Sequence, residues 1–223
     1  MRSSIFDMIG PIMIGPSSSH TAGVARIGRM ARKLLGETPK HVVLTFYNSF
    51  ATTYEGHGSD RAAIGGLLDM STDDERLRDA LNIAQQSGII IQMKSQSSAP
   101  KLHPNTIRIL AQGETNTVEV LGVSRGGGLI SITEIDGFFT NLSGVPNTLV
   151  ILAQDIKGSI AFLSNIIAHD DCNIGTMTVA RKGKNIDACL VLELDSPVRN
   201  TTLDYMRTLS WVKKVTFIPT IDD

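Results

Sequence analysis

The sequence predicts an α+β protein of two domains, and three observations carry that expectation. Residues 148–223 alternate strand, helix, strand, strand, helix, strand. A strongly amphipathic helix stands near the amino end, over His20 to Leu35. Between them runs a series of short strand-like segments whose connections contain glycine and asparagine, the pattern of hairpins. The expected architecture is an N-terminal mixed α/β domain with an antiparallel sheet, over residues 1–145. A C-terminal ferredoxin-like βαββαβ domain follows over 148–223, the two meeting near Gly144-Val-Pro-Asn-Thr148.

The first helix places Val24, Ile27, Ala31 and Leu34 on one side, with Arg26, Arg29, Arg32 and Lys33 largely off it. His41 to Phe46 reads as a strand. Thr72-Asp-Asp-Glu75 has the spacing of a capping box and predicts a helix that Gly88 ends. Ile89 to Met93, Asn105 to Gln112, Thr117 to Val123 and Leu129 to Ile135 are predicted strands. In the second domain Thr148 to Ala153 is a buried-type strand, and Gly158 to Ala168 a helix with Ile160, Leu163, Ile166 and Ile167 at helical spacing. Ile174 to Arg181 and Ala188 to Leu194 are strands around a Lys182-Gly-Lys-Asn turn, the latter too uniformly apolar for an edge. A helix over Thr201 to Leu209, with Leu203, Met206 and Leu209 on one side, and a strand over Val212 to Pro219 complete the pattern.

Composition excludes several classes of function. The 223 residues are enough for a core in each of two domains. With 21 basic and 22 acidic side chains the net charge is −1, which offers no electrostatic footprint for nucleic acid or anionic lipid. No run of about 20 apolar residues is present to span a membrane. Near the amino end, Asp7, Pro11 and Pro16 interrupt the apolar residues after Arg2, and no small-residue cleavage site follows, so no signal peptide is expected. The two cysteines, Cys172 and Cys189, are too few for a disulfide scaffold and too few for an iron–sulfur cluster, and no metal site is expected in this chain.

Two segments carry the polar residues with most chemical promise. Gly15-Pro-Ser-Ser-Ser-His-Thr21 stands directly before the first helix, where backbone N–H groups lack partners and the dipole adds positive charge. Its hydroxyls could wrap a carboxylate or phosphate. One serine would suffice for a helix cap, and three with a histidine point to an anion site. In Glu55-Gly-His-Gly-Ser-Asp60, two glycines let the backbone turn sharply around His57, whose imidazole titrates near neutrality and suits proton transfer. The alternative is a tight turn whose histidine merely packs, with Ser59 or Asp60 capping the next helix. His103-Pro-Asn-Thr106 reads as a structural turn, and Ser124-Arg-Gly-Gly-Gly128 as a hairpin with close backbone approach, since it lacks the strand-to-helix setting of a phosphate loop.

These segments resemble a known family. Met8-Ile-Gly-Pro-Ile-Met-Ile-Gly-Pro-Ser-Ser-Ser-His-Thr-Ala-Gly23 is similar to the opening of iron–sulfur-dependent bacterial L-serine dehydratases. Tyr54-Glu-Gly-His-Gly-Ser-Asp60, His103-Pro-Asn-Thr106 and Gly122-Val-Ser-Arg-Gly-Gly-Gly128 follow in the same order, with Arg125 where an aliphatic residue is expected. The C-terminal pattern resembles an ACT domain, a small-molecule sensing module. The match covers nearly the whole chain and is to the beta subunit of the two-subunit form.

The resemblance implies conversion of L-serine to pyruvate and ammonia. It implies a [4Fe–4S] cluster with one open iron acting as a Lewis acid while a base removes the α-proton. Its cysteines belong to the partner alpha subunit, not to this chain, which should be inactive alone. It also implies an N-terminal fold shared with the allosteric substrate-binding domain of some phosphoglycerate dehydrogenases. By the same carry-over His20 and His57 are candidate catalytic residues, and Ser17, Ser18, Ser19 and Thr21 are contacts to the serine carboxylate or the active-site surface. The ACT ligand turn would be Asp155-Ile-Lys-Gly158, with Lys157 where a proline is often found. Self-association through the ACT domain and a cytoplasmic location complete the expectation. The rival from another class is a non-catalytic amino-acid sensor. A detached regulatory arm of a dehydrogenase is weaker, since nothing resembles a dinucleotide site.

Overall fold

A computed structural model of the protein describes residues 10–220. Arg2, Asp7, Met8 and Ile9, on which parts of the sequence reading fall, lie outside the described residues. The chain forms two compact units that divide between Gly137 and Phe138. That division precedes the Gly144–Thr148 segment because a short strand, Phe138–Leu142, groups with the second unit.

In the first unit a π-helical turn, Ser18–Ala22, runs into α1 (Gly23–Leu35), which Gly36 ends in the left-handed conformation at φ 85°. The predicted apolar face of Val24, Ile27, Ala31 and Leu34 is buried. Strand β1 (His41–Tyr47) is followed by α2 (Ser49–Thr53), α3 (Ser59–Leu67), a 3-10 turn (Glu75–Asp79) and α4 (Ala80–Gln86). Strands β2 (Ile90–Gln96), β3 (Thr106–Gln112), β4 (Thr117–Gly126) and β5 (Leu129–Ile135) complete the unit.

Within this unit the strands lie in the order β2-β1-β3-β4-β5. The β1–β3, β3–β4 and β4–β5 pairs are antiparallel as expected, but β1 and β2 are parallel. The reason is the connection: three helices and a 3-10 turn carry the chain back to the starting end of the sheet, as a crossover does. The sheet is therefore mixed. The capping box is also corrected. Thr72 is fully buried and its hydroxyl donates to the carbonyl of Ile12 at 2.8 Å, stapling the segment that leads into the π-helical turn. Asp74 is the cap instead, accepting from the Arg76 N–H ahead of the 3-10 turn.

One close approach fixes this unit. Helices α1 and α3 cross at Gly28 and Gly66. A Cβ on Gly28 would stand inside contact distance of the Ala63 carbonyl oxygen, and one on Gly66 inside that of Ala25. Glycine is required there by space, and backbone packs on backbone. Beneath α1, Ile27 occupies the room left by the missing side chain of Gly122 on β4.

The second unit contains β6 (Phe138–Leu142), β7 (Asn147–Gln154), α5 (Ser159–His169), β8 (Ile174–Arg181), β9 (Asp187–Leu194), α6 (Asn200–Thr208) and β10 (Val212–Ile218). Its sheet order β10-β7-β9-β8, antiparallel throughout, is that of a split βαβ fold, with β9 central as its apolar run predicts. Leu149, Ile151, Leu163, Ile167, Leu192 and Met206 form the core. Ile160 departs from its predicted place and is 45% exposed: it lies on the Ile167 side of α5 but in the first turn of the helix, one residue after Ser159. Both cysteines are buried and not joined in a disulfide, and Cys172 Sγ lies 3.1 Å from the carbonyl oxygen of Ser196. Among the described residues no helix is long and apolar enough to cross a membrane.

Candidate active site

The site is assembled where the π-helical turn meets the loop before α3. Gly15 adopts φ 124°, and Thr21 fills the space a Cβ there would need. The segment thus curls around its own Thr21 side chain. Ser17, in extended conformation at φ −145°, caps the turn: its hydroxyl accepts from the His20 N–H at 3.2 Å. The π-helical turn widens the first coil and delivers His20 toward α2 and α3, a placement such turns often serve at functional sites.

His20 Nδ1 is hydrogen-bonded to Ser19 Oγ at 2.9 Å, with Ser17 Oγ at 3.4 Å. The ring meets Phe50 edge-on at 4.9 Å between centroids and lies 4.7 Å from the ring of His57. Its Nε2 is buried with no hydrogen-bond partner among the described residues. Burial first, and the neighbouring His57 second, hold the His20 pKa below its ordinary 6.5. His20 is accordingly a neutral imidazole at physiological pH.

Two hydrogen bonds lock the histidine segments together. Ser59 Oγ donates to the His20 carbonyl at 2.7 Å, and Thr21 Oγ1 donates to the His57 carbonyl at 3.0 Å. His57 Nδ1 lies 3.2 Å from the carbonyl oxygen of Thr53. A carbonyl only accepts, so Nδ1 carries the hydrogen, and in the neutral ring Nε2 keeps its lone pair for a proton. Gly58, at φ 68°, supplies the sharp turn into α3 that the sequence foresaw. Asp60 is buried one residue past Ser59, and burial raises its carboxyl pKa against the opposing hydrogen bond from the Arg61 N–H.

Beside this pair opens a cavity of about 210 Å³ whose wall includes His57, Thr21, Glu55, Arg61 and Arg78. Of the predicted polar residues, His57 and Thr21 reach it. Ser17 and Ser19 turn their hydroxyls to His20, and Ser18 accepts the Gly23 N–H through its carbonyl within the π-helical turn. Thr53, Phe50 and Ser59 are contributors that the motif reading did not assign to the pair, and Arg61 and Arg78 were not singled out. Arg61 follows the His57 segment directly and could have been found by extending it; Arg78 carries no sequence signal.

The remaining motifs frame the start of α1. The hydroxyl of Ser124 is buried against Gly23, where any Cβ would collide with it, and has no hydrogen-bond partner among the described residues. The Ser124 N–H donates to the Asn105 carbonyl, and Thr106 Oγ1 to the His103 carbonyl, so the His103 segment is the turn predicted. Gly126, Gly127 and Gly128 all have positive φ and form the expected hairpin, whose Gly128 carbonyl accepts from Arg26 at 2.8 Å. In the second unit, Asp155 accepts from the Asn185 N–H and pairs with Arg181, so its carboxylate is engaged with the β8–β9 turn. Gly158 stands at φ 88° with nothing within 4 Å of a would-be Cβ, so glycine is needed there for conformation and not for close approach.

Fold and site together define an α+β protein with a pair of packed histidines beside a cavity in its first unit and a split βαβ second unit. The family model described as serine dehydratase beta chain matches residues 4–134. The chain belongs to that family. It is 46% identical to the probable L-serine dehydratase beta chain of Bacillus subtilis over 96% of this chain and 97% of that one. It is 32% identical to the L-serine dehydratase beta chain of Peptoniphilus asaccharolyticus over 87% and 88%. A solved ACT domain, from the GTP pyrophosphokinase of Chlorobium tepidum, aligns with 32% of this chain and 94% of its own at 22% identity and a TM-score of 0.26. The βαββαβ assignment rests on the strand order and not on that likeness.

The residues of this chain do not fit an iron–sulfur cluster. Its two thiols are buried in the second unit, fewer than a cluster takes, and among the described residues no group of three or more His, Cys, Asp or Glu could hold a metal.

Proposed function

We propose that this chain is the beta subunit of an L-serine dehydratase, working in the cytoplasm with a separate alpha subunit. The observation that carries the reading is the near-full-length identity to beta chains of that name, over a fold that packs His20 against His57 beside a cavity. The overall change is loss of water from L-serine to give 2-aminoacrylate, which tautomerises and takes up water to release pyruvate and ammonia. Removal of the α-proton needs a base, and His57 is the group on this chain suited to it. Its Nδ1 hydrogen is committed to Thr53, which leaves Nε2 as the acceptor. His20 does not line the cavity; it acts as a positioning residue, neutral and held by Ser19, against which the His57 ring rests.

The [4Fe–4S] cluster of this chemistry would be carried by the alpha subunit, since the thiols of this chain cannot ligate it. The second unit would serve self-association, and the Asp155–Gly158 turn is its candidate ligand loop.

Co-expression with the cysteine-rich alpha subunit, followed by anaerobic purification, tests this reading. A brown complex that forms pyruvate from L-serine is expected, while this chain alone is colourless and inert. Turnover by the isolated chain, or failure of the two chains to associate, would overturn it.

A further inference from the structure

The residues around the cavity differ from those the sequence put forward for binding an anion. The hydroxyls of Ser17 and Ser19 are directed at His20, one at its N–H and one at its ring. What the cavity presents is charge: Arg61 from the first turn of α3 and Arg78 from the 3-10 turn, with a single carboxylate, Glu55, opposing them. Among the described residues neither arginine forms an ion pair. Both are exposed at the cavity rim. Elsewhere in this unit arginines are committed, Arg76 to Asp74 and Arg108 to Glu119 and Glu134. Two guanidinium forks outside any ion pair, Arg61 with the buried Asp60 carboxylate as its electrostatic neighbour, stand beside one exposed acid that accepts from the Tyr54 hydroxyl at 3.0 Å. The set suits a ligand mainly anionic and carrying one cation. The remaining wall combines the polar His57 and Thr21 with apolar Ile14 and Leu77. At about 210 Å³ the space lies below the ~300–1,000 Å³ of drug-sized sites, which restricts it to a ligand of few heavy atoms.

We infer that this cavity recognises a small α-amino acid, its carboxylate held by Arg61 and Arg78 and its ammonium by Glu55, with His57 on the same wall. The inference deepens the proposed function by naming the groups that select the substrate. It takes from that reading only the choice of L-serine as probe. The chemistry asks for a zwitterion, so two probes separate its halves: L-serine carries both charges, pyruvate the carboxylate alone.

The experiment is calorimetric titration of the isolated full chain with L-serine and with pyruvate, for wild type and three variants. Arg61→Gln and Arg78→Gln are each expected to weaken both probes by about tenfold or more, the loss of a charge-assisted hydrogen-bonded contact. Glu55→Gln is expected to weaken L-serine by a similar factor and to leave pyruvate unchanged or tighter. The three side chains are exposed, so unchanged melting temperatures show that the fold is intact. No binding by the wild-type chain, affinities indifferent to both arginines, or equal loss of the two probes in Glu55→Gln overturns the inference. Serine binding that survives all three substitutions, as binding at the second unit would, also overturns it. Pyruvate formation by the assembled complex plays no part in this titration. An inactive complex with the binding pattern intact would sink the beta-subunit reading alone; an active one without the pattern would sink the cavity assignment alone.

Discussion

The carbonyl oxygen of Thr53 lies 3.2 Å from Nδ1 of His57, four residues on, and so chooses the tautomer of that ring. Because α2 ends at Thr53, a five-residue helix orients the ring proposed as the base. The same helix supplies Phe50, whose ring abuts His20.

His57→Ala in the assembled enzyme should therefore lower kcat by roughly 10²- to 10⁴-fold, the range of a lost general base. The melting temperature should barely move, since the ring is only half-buried. Steady-state pyruvate formation and a thermal melt check this together; a kcat within twofold of wild type would remove His57 from the chemistry.

The bonds that join the two histidine segments can be weighed one at a time. Ser59→Ala removes the buried hydroxyl that donates to the His20 carbonyl, and should cost about 1 kcal/mol. For a chain of this length that is a fall of about 2–4 °C in Tm. Thr21→Val removes the reciprocal bond to the His57 carbonyl and should cost a similar ~1 kcal/mol. A double-mutant cycle should show coupling, because either bond helps to hold the partner of the other. Strict additivity would mean that the two segments are positioned independently.

Gly66→Ala should be among the most damaging small substitutions in the first unit. Its methyl would press on the Ala25 carbonyl of α1, and overpacking of this kind costs about 1–3 kcal/mol. Because α1 and α3 lead from the two histidines, turnover should fall further than the loss of stability explains. Denaturant unfolding and kcat measured on one preparation would show the excess.

Stability should depend on pH in two separate windows. His20 has a depressed pKa in the folded chain, so the unfolded chain binds more protons as pH falls below 6.5. Its contribution is complete above that value and is lost on acidification toward the folded pKa. A His20→Gln variant should lack this slope. Glu37 is held at about 2, mainly by the Thr115 N–H with further hydrogen bonds from Asn116 and the Thr115 hydroxyl, against an ordinary 4.5. Its contribution is present above 4.5 and disappears between there and about 2. Urea midpoints for wild type minus Glu37→Gln across pH 2–6 isolate it from Asp60, whose burial acts in the opposite sense.

Apart from β6, the second unit was legible in sequence nearly residue by residue, because its periodicities are local: β7 and β9 read as apolar runs, and α6 shows Leu203 and Met206 one turn apart. What escaped needed distant partners. The parallel pairing of β1 with β2 is decided by the helices between them. Thr72 has the spacing of a cap, yet a buried hydroxyl is better satisfied by Ile12, sixty residues away in sequence. At the site, the residue types around His20 and His57 were readable, but their meeting was not, since thirty-six residues separate them. The serine cluster illustrates the same gap. A run of hydroxyls at a helix start announces polar chemistry without saying whether it faces a ligand or, as with Ser19, a neighbouring imidazole.

The crossing at Gly28 and Gly66 bears on how this site tolerates change. Where side chains separate two helices, each substitution in the layer between them resets the gap. Main chain resting on main chain leaves no such layer, so the gap between the two helices that lead from the histidines is set by the thickness of the polypeptide itself. Apolar residues elsewhere in the core do not stand between the two helices at this crossing, so exchanging them for others of similar volume leaves that gap as it is.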